Sequence, residues 1–412
     1  MKKYILGGVM SLLALNQEVY ASELPVDYRN IKAEALGGTF SASANELSGI
    51  FANPAGLTLT RNPRNRHGVQ GAQLPFPGEV GANDQMLAQM GANPDEWTKN
   101  LFDSAKQNPG KQSYLELQTM PAMTFRTGSL HTLMIGLPIR AESRVAYLEG
   151  ADSSTAYVKT QQTASLAITN AFQTDKGLFR GGFTVRPNYR QSYETFSYPG
   201  EDTSTGDFTR KLYQNGITSQ AVALDAGMML TLPDEWFPTL AVSVRNIPTG
   251  CFYDYENPIT HQKEKMCGTV RSGGSSGDPN EARLDPTEVR AGVSLTPRFR
   301  LGRRILNLRV AGDIYPIPLQ VGGIRYGIDH IDTEDLYHVG VELFFGGALI
   351  QRGLSLRGGW QGGQLSWGSN LALGALNLSY TAYGAKDSLP QPDGTHRDFT
   401  ERRHMLGISF LF

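Results

Sequence analysis

The strongest constraint on the fold of this chain is an alternation of apolar with polar or small residues that recurs from Val222 to the C-terminus. In the first such segment Val222, Leu224 and Met228 share one face, whereas Asp225 and Gly227 lie on the other. Similar segments follow at 240–245, 289–296, 306–311, 337–343, 354–361 and 376–382. A period of two residues is that of a β-strand with unlike faces, so the pattern predicts a β-barrel or a β-sandwich.

The distribution of charged and aromatic residues favours a membrane barrel over a soluble sandwich. Charges lie in the middle of strands on the polar face, at Arg309, Glu342 and Arg357, which suits a wet or plugged lumen. Aromatic residues lie near strand ends, where the interfacial girdles of membrane barrels are expected, at Tyr337, Phe345, Trp360 and Tyr383.

The last strand gives a second indication of a barrel. Leu406, Ile408, Phe410 and Phe412 alternate along the final residues of the chain. This pattern resembles the terminal strand by which the barrel-assembly machinery recognises its substrates, so we expect these four residues to be a membrane-assembly signal.

The first half of the chain is less regular but also contains strand patterns, at 68–76, 114–125, 133–140, 156–172 and 178–190. Near the C-terminus, Gly362-Gly363 reads as a two-residue hairpin turn. Together these segments predict an all-β, transmembrane antiparallel β-barrel of about 14 strands, with an uncertainty of two strands either way.

Residues 1–21 have the features of a secretory signal peptide. Lys2 and Lys3 precede an uncharged apolar run that ends at Leu15, and small or short residues lead up to Ala21. The run is too short for a membrane helix, which needs about 20 residues. No later run is long enough either, so an exported barrel is expected in the bacterial outer membrane.

Composition and motifs argue against several other functions. A net charge of −1 does not suit a nucleic-acid-binding protein. The sequence Gly273-Gly274-Ser275-Ser276-Gly277 matches the nucleophile motif of hydrolases, but it lacks the strand and helix that should flank it and reads as a linker. The seven histidines show no metal-ligand spacing: His67, His131, His261, His330, His338, His396 and His404. We therefore expect no enzyme activity, no metal and no cofactor.

The chain has two cysteines, Cys251 and Cys267, in a loop rich in proline, glycine and charge. In an exported protein their natural interpretation is a disulfide. A metal site is the alternative, but only His261 lies nearby and no paired spacing is present.

Residues 94–107 form the one clear helix pattern between strands. Pro94 and two acids begin it, and Trp97, Leu101 and Ala105 then share a face. Such a helix covers an opening of the barrel, rests on the membrane surface, or is an ordinary loop helix that buries its own apolar stripe.

A run of small residues from Ala35 to Leu57 differs from the rest of the chain. It contains the pair Gly37-Gly38 and the turn Asn53-Pro54-Ala55-Gly56, in which proline and glycine shape the backbone. Such a segment packs closely against surrounding walls, although a tight loop has the same composition. The sequence ALGGTFSASANELSGIFANPAGL resembles the N-terminal signature of the FadL family of outer-membrane transporters for long-chain fatty acids and other hydrophobic compounds.

This resemblance implies an N-terminal hatch folded into the barrel lumen and the passive uptake of a hydrophobic compound. The expected organisation is a signal peptide at 1–21, a hatch at 22–66 and the transmembrane barrel at 67–412. The expected partners are hydrophobic small molecules or lipids, outer-membrane lipid and the barrel-assembly machinery, with no nucleic acid, and the chain is expected to be a monomer.

A second function remains open. Barrels with a similar N-terminal signature include TraF-like products of plasmid transfer and secretion-associated proteins, which hold partners rather than carry lipid. The basic cluster Arg61, Arg64, Arg66 and His67 suits such a contact or, alternatively, a solvated turn. An apolar pocket that leads to the hatch would favour transport, and a lumen filled with ion pairs would favour a scaffold.

Overall fold

The computed structural model describes residues 26–60, 69–90, 96–127, 130–147, 156–174, 176–197, 214, 216–256, 263–273, 284–301, 304–317, 319–321, 324–326, 333–346, 352–390 and 396–411. Fourteen antiparallel strands in these ranges form a closed barrel, in which the first strand pairs with both the second and the last. The predicted fold class and the predicted strand number are confirmed.

The barrel strands are β1 (Val69–Asn83), β2 (Gln112–Thr119 and Ala122–Thr127), β3 (His131–Gly136 and Ile139–Tyr147), β4 (Ala156–Ser165 and Ala167–Gln173), β5 (Phe179–Ser197), β6 (Ile217–Thr231), β7 (Thr239–Arg245), β8 (Glu288–Leu295 and Arg298–Leu301), β9 (Arg304–Ile314), β10 (Tyr337–Gly346), β11 (Arg352–Gln361), β12 (Gln364–Leu373), β13 (Leu376–Pro390) and β14 (His396–Leu411). Gly362 and Gly363 both have positive φ and join β11 to β12, as predicted.

The two faces of the wall differ as the alternation predicts. Val222 and Met228 of β6 point outward and are 52% and 53% exposed, whereas Asp225 between them is 1% exposed. Leu406 of β14 is 54% exposed on the outer face. An apolar outer face around a polar interior is the architecture of barrels in the bacterial outer membrane, and the protein is placed there.

Three neighbouring strands are interrupted at the same level of the wall. The breaks are Met120-Pro121 in β2, Leu137-Pro138 in β3 and Leu166 in β4. The Leu137 amide donates to Pro121 O at 2.9 Å, and the Ser165 amide donates to Pro138 O at 3.0 Å. Proline cannot donate to a strand ladder, so the sequence breaks strands that the alternation alone predicts to be continuous.

The described helices are short: α1 (Ile31–Ala35), α2 (Asp84–Leu87), α3 (Trp97–Gln107) and α4 (Thr333–Leu336). Helix α3 corresponds to the helix predicted at 94–107, and it buries Leu101 and Ala105 against Leu115 and Val145 of the barrel wall. Leu115 shares its face of β2 with the exposed Leu117, so the helix packs on the outer surface of the wall. This agrees with a loop helix that buries its own apolar stripe.

None of the helices in the described ranges is long and apolar enough to cross a membrane.

The loop between β7 and β8 carries part of a small second sheet, whose strands are Gly250–Glu256, Lys263–Val270, Leu284–Pro286, Leu319–Val321 and Ile324–Tyr326. Cys251 and Cys267 lie directly opposite each other in its first strand pair and form the disulfide that the sequence predicts.

A closed barrel predicts heat-modifiable mobility. In detergent gels the unboiled protein should migrate faster than the boiled protein, because the hydrogen-bonded cylinder resists unfolding until it is heated. Identical mobility before and after boiling, together with recovery from the soluble periplasmic fraction, would contradict the membrane barrel.

Candidate functional site

Residues 26–60, here called the N-terminal segment, lie inside the barrel. The Arg29 amide donates to Gln118 of β2, and later residues meet the other strands in descending order. Hydrogen bonds from the segment reach Thr381 of β13, Ser366 of β12, His338 of β10, Asp313 of β9, Ser294 of β8, Ser243 of β7 and the Met228 carbonyl of β6. A segment that contacts strands around nearly the whole of a closed wall is enclosed by that wall.

Glycines of the wall allow the backbone of the segment to approach closely. A Cβ atom built on Gly182 of β5 would lie 2.6 Å from the carbonyl carbon of Pro54, and one on Gly359 of β11 would collide with Leu36 and Gly37. Seven inward-facing glycines are here called the glycine belt, because a Cβ atom on each would lie within 3.3 Å of a backbone or side-chain atom of the segment: Gly182, Gly227, Gly292, Gly340, Gly359, Gly368 and Gly407. Each leaves room for an atom of the segment where any other residue would place a side chain.

The predicted turn at residues 53–56 is one anchor of the segment. Asn53 Oδ1 accepts the Ala55 amide at 3.0 Å, and Pro54 begins the 3₁₀-helix Pro54–Leu59, as suits its fixed φ. Asn53 Nδ2 donates at 3.2 Å to Ser41 O within the segment and to Met228 O on β6. The asparagine therefore stabilises the turn and also binds it to the wall.

At the other positions of the turn, steric crowding limits the size of the side chain. Ala55 is fully buried in a cluster with Ala42, Met229 and Ala241. A Cβ atom on Gly56 would lie 2.5 Å from that of Ala44, so a larger side chain at position 56 requires the segment to rearrange. Residues 53–56 thus fit one place on β5–β7.

The pair Gly37-Gly38 is a separate anchor on different strands. Both residues have positive φ, 63° and 82°, and they reverse the chain after α1. His338 Nδ1 lies 2.9 Å from Gly37 O, and the Tyr315 hydroxyl donates to Gly38 O at 3.2 Å. The structure does not bring the two halves of the motif together; instead, each half binds its own part of the wall.

Buried ion pairs hold the start of the segment, and the sequence alone does not identify these contacts. Asp27 pairs with both Arg186 and Arg190 of β5. Arg186 also pairs with Asp225 at 2.7 Å, and Arg190 pairs with Asp285 at 2.7 Å. Burial raises the pKa of the Asp27 carboxyl, but the surrounding guanidinium groups, Arg186 and Arg190 foremost, outweigh it and hold that pKa well below its usual range.

Two further ion-pair clusters bind the segment to other strands. Arg29 lies 3.4 Å from Glu116, which also pairs with Arg140 at 2.5 Å. Lys32 lies 3.3 Å from Glu342, one of the three mid-strand charges noted in the sequence. Glu342 also pairs with the other two, with Arg309 at 2.7 Å and with Arg357 at 2.9 Å. In the sequence, the position of these three charges on the polar face of their strands indicates that they face the barrel interior. The structure places them in the lumen.

One sector of the contact is apolar. The inner wall of β2–β4 contributes Met120, Ala122, Met134, Ala167 and Ala171, all buried. The segment covers them with Tyr28, Leu47, Ile50, Phe51 and Leu57. This sector lies beside the row of strand interruptions, so the wall is both apolar and irregular there.

The structure describes only some of the other candidate sites. No group of three potential metal ligands occurs in the described ranges. Cys251 and Cys267 are occupied by their disulfide. Residues 274–277 of the serine motif, the basic cluster at 61–67, the leader at 1–21 and Phe412 lie outside the described residues. Leu406, Ile408 and Phe410 lie on β14 as predicted, and their role in assembly stays a prediction.

No family model and no curated protein sequence matches the chain. Several solved structures do. A TodX monoaromatic hydrocarbon channel mutant is 10% identical, with a TM-score of 0.48 over 94% of this chain and 99% of that one. The Pseudomonas putida toluene transporter TodX is 8% identical, with a TM-score of 0.48 over 95% and 99%. A Pseudomonas aeruginosa FadL homologue is 9% identical, with a TM-score of 0.37 over 96% and 99%.

The glycine belt predicts a sharp difference between two adjacent glycines. Gly359→Val should push residues 36–37 off β11, at a cost of about 1–3 kcal/mol for overpacking, and should raise the single-channel conductance in planar bilayers. Gly358→Val is the matched control, because among the described residues, its chain neighbours apart, only the Ser366 carbonyl oxygen comes within 4 Å of a Cβ there, at 4.0 Å. Equal conductance of the two variants would show that the close contact does not hold the segment.

The ion pairs predict a defect confined to the segment. In Asp27→Asn the buried Arg186 and Arg190 lose a shared carboxylate but keep Asp225 and Asp285. We therefore expect a loss near the lower end of the range for breaking a buried pair, about 3 kcal/mol. Limited proteolysis should cleave the N-terminal segment faster while heat-modifiability is unchanged.

The matched control for this variant is Asp84→Asn, whose carboxylate is 64% exposed beside His404, so its loss should have little effect. Cleavage of Asp27→Asn at the wild-type rate would refute the anchoring role of Asp27.

Proposed function

We propose that the N-terminal segment is a hatch and that the barrel takes up hydrophobic compounds through the outer membrane when the hatch shifts. The observation that carries this proposal is the position of the segment. Residues 26–60 run around the inner wall and are held to it by non-covalent contacts in the described residues. A segment held in this way closes the barrel while it is seated and opens a path when it moves.

The apolar sector at β2–β4 supports a hydrophobic cargo. Its inner side chains contact the 3₁₀-helical part of the segment, whereas its outer side chains face lipid. The outer side chains near the interruptions are Met123, Ile135, Leu137, Ile139, Leu166 and Ile168, each at least 37% exposed. In this sector the inner face and the outer face of the wall are both apolar. A hydrophobic compound that passes here would contact apolar side chains throughout and would avoid the ion pairs elsewhere in the lumen.

The resemblance of residues 35–57 to the FadL signature supports the same function. The residues that carry the resemblance, Asn53, Pro54, Ala55 and Gly56, are those that fit the segment onto β5–β7. We infer that the signature encodes the seating of the hatch. Long-chain fatty acids are the cargo that the resemblance implies.

A specific observation favours a second candidate, a non-transporting scaffold. Around the segment, the inner wall presents buried ion pairs rather than an apolar passage; examples are Arg140 with Glu142 and Arg403 with Asp387. Such ion pairs would stabilise a barrel in which the N-terminal segment stays in the lumen permanently. In that case the surface of the barrel, and not its lumen, would perform the function.

Uptake by the double variant Pro54→Ala, Gly56→Val separates the two functions. A misfitted turn should raise conductance and antibiotic sensitivity, because water and ions then pass beside the segment. Uptake of labelled hydrophobic compounds, measured in cells, should differ from that of wild type and of a deletion strain. Gly358→Val serves as the control that leaves the hatch seated.

Equal uptake in wild type, double variant and deletion strain would refute transport. Raised conductance with no uptake phenotype would support the scaffold function. It would also agree with a segment that is enclosed by the barrel.

A further inference from the structure

The outer face of β6 changes from apolar to polar at one level of the wall. Its outward-facing residues Leu230, Met228, Leu224 and Val222 are apolar and exposed, whereas the next one, Gln220, is polar and exposed. In a tilted strand the run from Leu230 to Val222 rises by about 20 Å, close to the height of about 25 Å of the apolar band of such barrels. Gln220 therefore lies at one edge of the hydrocarbon layer.

This edge is the extracellular one. Residues 232–238, which join β6 to β7, are few, whereas residues 198–216, which join β5 to β6 beyond Gln220, are many. Barrels of this class have short turns on the periplasmic side and long loops on the extracellular side. The level of Gln220 is accordingly the interface of the outer leaflet, where the polar linkages of a lipid meet its acyl chains.

A groove of about 540 Å³ crosses this level on the outer face of the wall. Its apolar lining includes Leu137, Leu166 and Tyr189, all of them exposed. Gln220 and Ser272 line it at the polar edge. The volume is within the range of about 300–1,000 Å³ that is usual for small-molecule sites, so the groove is large enough to hold a bound molecule.

The groove is built into the wall. It lies where Leu137 and Leu166 interrupt β3 and β4, and there the Leu166 amide donates to Pro187 O at 3.0 Å. On the opposite side, Gln220 and Ser272 exchange two backbone hydrogen bonds of 2.7 Å, so the chain that follows strand Lys263–Val270 of the second sheet flanks β6. Backbone hydrogen bonds thus fix both sides of the groove before any molecule binds.

The lining suits the uncharged part of a lipid. None of the described lining residues carries a charge. A phosphate or a carboxylate in the groove would lose hydration without a cation to pair with. A hydrocarbon chain, in contrast, fills the apolar part with van der Waals contacts, and the Gln220 side-chain amide can donate to the carbonyl oxygen of an ester at the polar edge.

We propose that this groove binds one acyl chain of an outer-leaflet lipid, with the ester linkage of that chain beside the Gln220 amide. The bound chain fills the recess at the interruptions of β3 and β4, and its headgroup extends beyond the uncharged lining. The inference goes beyond the proposed function, because the lipid is a resident part of the wall rather than a cargo. It holds whether or not the barrel transports.

The test measures how tightly a lipid binds beside the groove. Leu224 and Val341 both face outward and are 37% and 39% exposed, but Leu224 adjoins the lining residue Val222, whereas Val341 lies on β10. The native cysteines form a disulfide, so Leu224→Cys or Val341→Cys supplies a single thiol for a bimane label. Phosphatidylethanolamine with dibrominated chains, which quench bimane, is titrated into each labelled barrel in mild detergent. Half-maximal quenching should need at least about tenfold less lipid at position 224 than at position 341.

Filling the groove should abolish this difference. Ala164 lines the groove and lies between the outward-facing Ile139 and Tyr189 in the ladder, so Ala164→Phe places a ring in it. Half-maximal quenching at position 224 should then need about tenfold more lipid. The matched control is Val339→Phe on β10, which adds a ring at another exposed outer position and should leave quenching at position 224 unchanged. Heat-modifiable mobility of every variant shows that the barrel has folded.

Three results would overturn the proposal. Equal lipid concentrations for half-maximal quenching at positions 224 and 341 would mean that lipid makes only the general contact of a membrane wall. Unchanged quenching in Ala164→Phe would place the bound lipid elsewhere. Dibrominated phosphatidylglycerol should quench at the same concentration as phosphatidylethanolamine, because the headgroup lies outside the lining. If phosphatidylglycerol or a dibrominated free fatty acid quenches at about tenfold lower concentration, the site selects a negative charge and not an esterified chain.

Discussion

The structure depends on the close fit between the N-terminal segment and the inner wall of the barrel. At the glycine belt atoms of the segment crowd the space that a Cβ atom would fill, and beside Gly182 and Gly359 they are backbone atoms of Pro54 and Leu36. Seven glycines facing a barrel interior are costly, because each loses more conformational freedom on folding than any other residue. The contacts of the segment offset that cost, so segment and wall stabilise each other.

The ion pairs of the lumen depend on this fit. Asp27, Arg29 and Lys32 meet their partners where water is largely excluded, and their attraction is stronger there than at a surface. Desolvation opposes that gain, so buried pairs contribute more to the position of a segment than to its net stability. Such contacts favour one seating of the segment, yet they permit a second arrangement in which the charges find other partners or water.

The sequence predicts the strands of the wall well because the pattern that indicates them depends only on residues close together in the chain. The alternation at Val222–Leu230 and the final Leu406, Ile408 and Phe410 assign faces correctly, since side chains of a strand alternate regardless of the rest of the fold. It also predicts the turn at Asn53-Pro54, which depends on neighbouring residues. Pro121 and Pro138 lie within segments whose pattern predicts continuous strands, and the structure breaks the strands there.

The partners of the segment were beyond sequence reasoning because they are distant in the chain. Asn53 donates to Met228 across 175 positions, and Phe40 donates to Asp313 across 273. In the sequence, Gly292 and Gly340 are simply small residues on a polar face. The neighbouring residues do not show which part of the chain fills the space beside them.

The central claim is that the N-terminal segment must move for a hydrophobic compound to pass, and a reversible cross-link tests it most directly. A Cβ atom at Gly292 would lie 3.1 Å from Ser41 Cβ, near the roughly 3.5–4.5 Å of a disulfide, and 2.2 Å from Asp313 Oδ1. Ser41→Cys with Gly292→Cys can therefore join segment and wall once the Asp313 carboxylate turns aside. Uptake of a labelled long-chain fatty acid is measured in oxidised and reduced cells, with wild type as the control for the native Cys251–Cys267 bond. The account predicts that oxidation abolishes uptake in the double variant and that reduction restores it. Equal uptake in the cross-linked and reduced states would show that the segment stays seated during passage and would contradict the account.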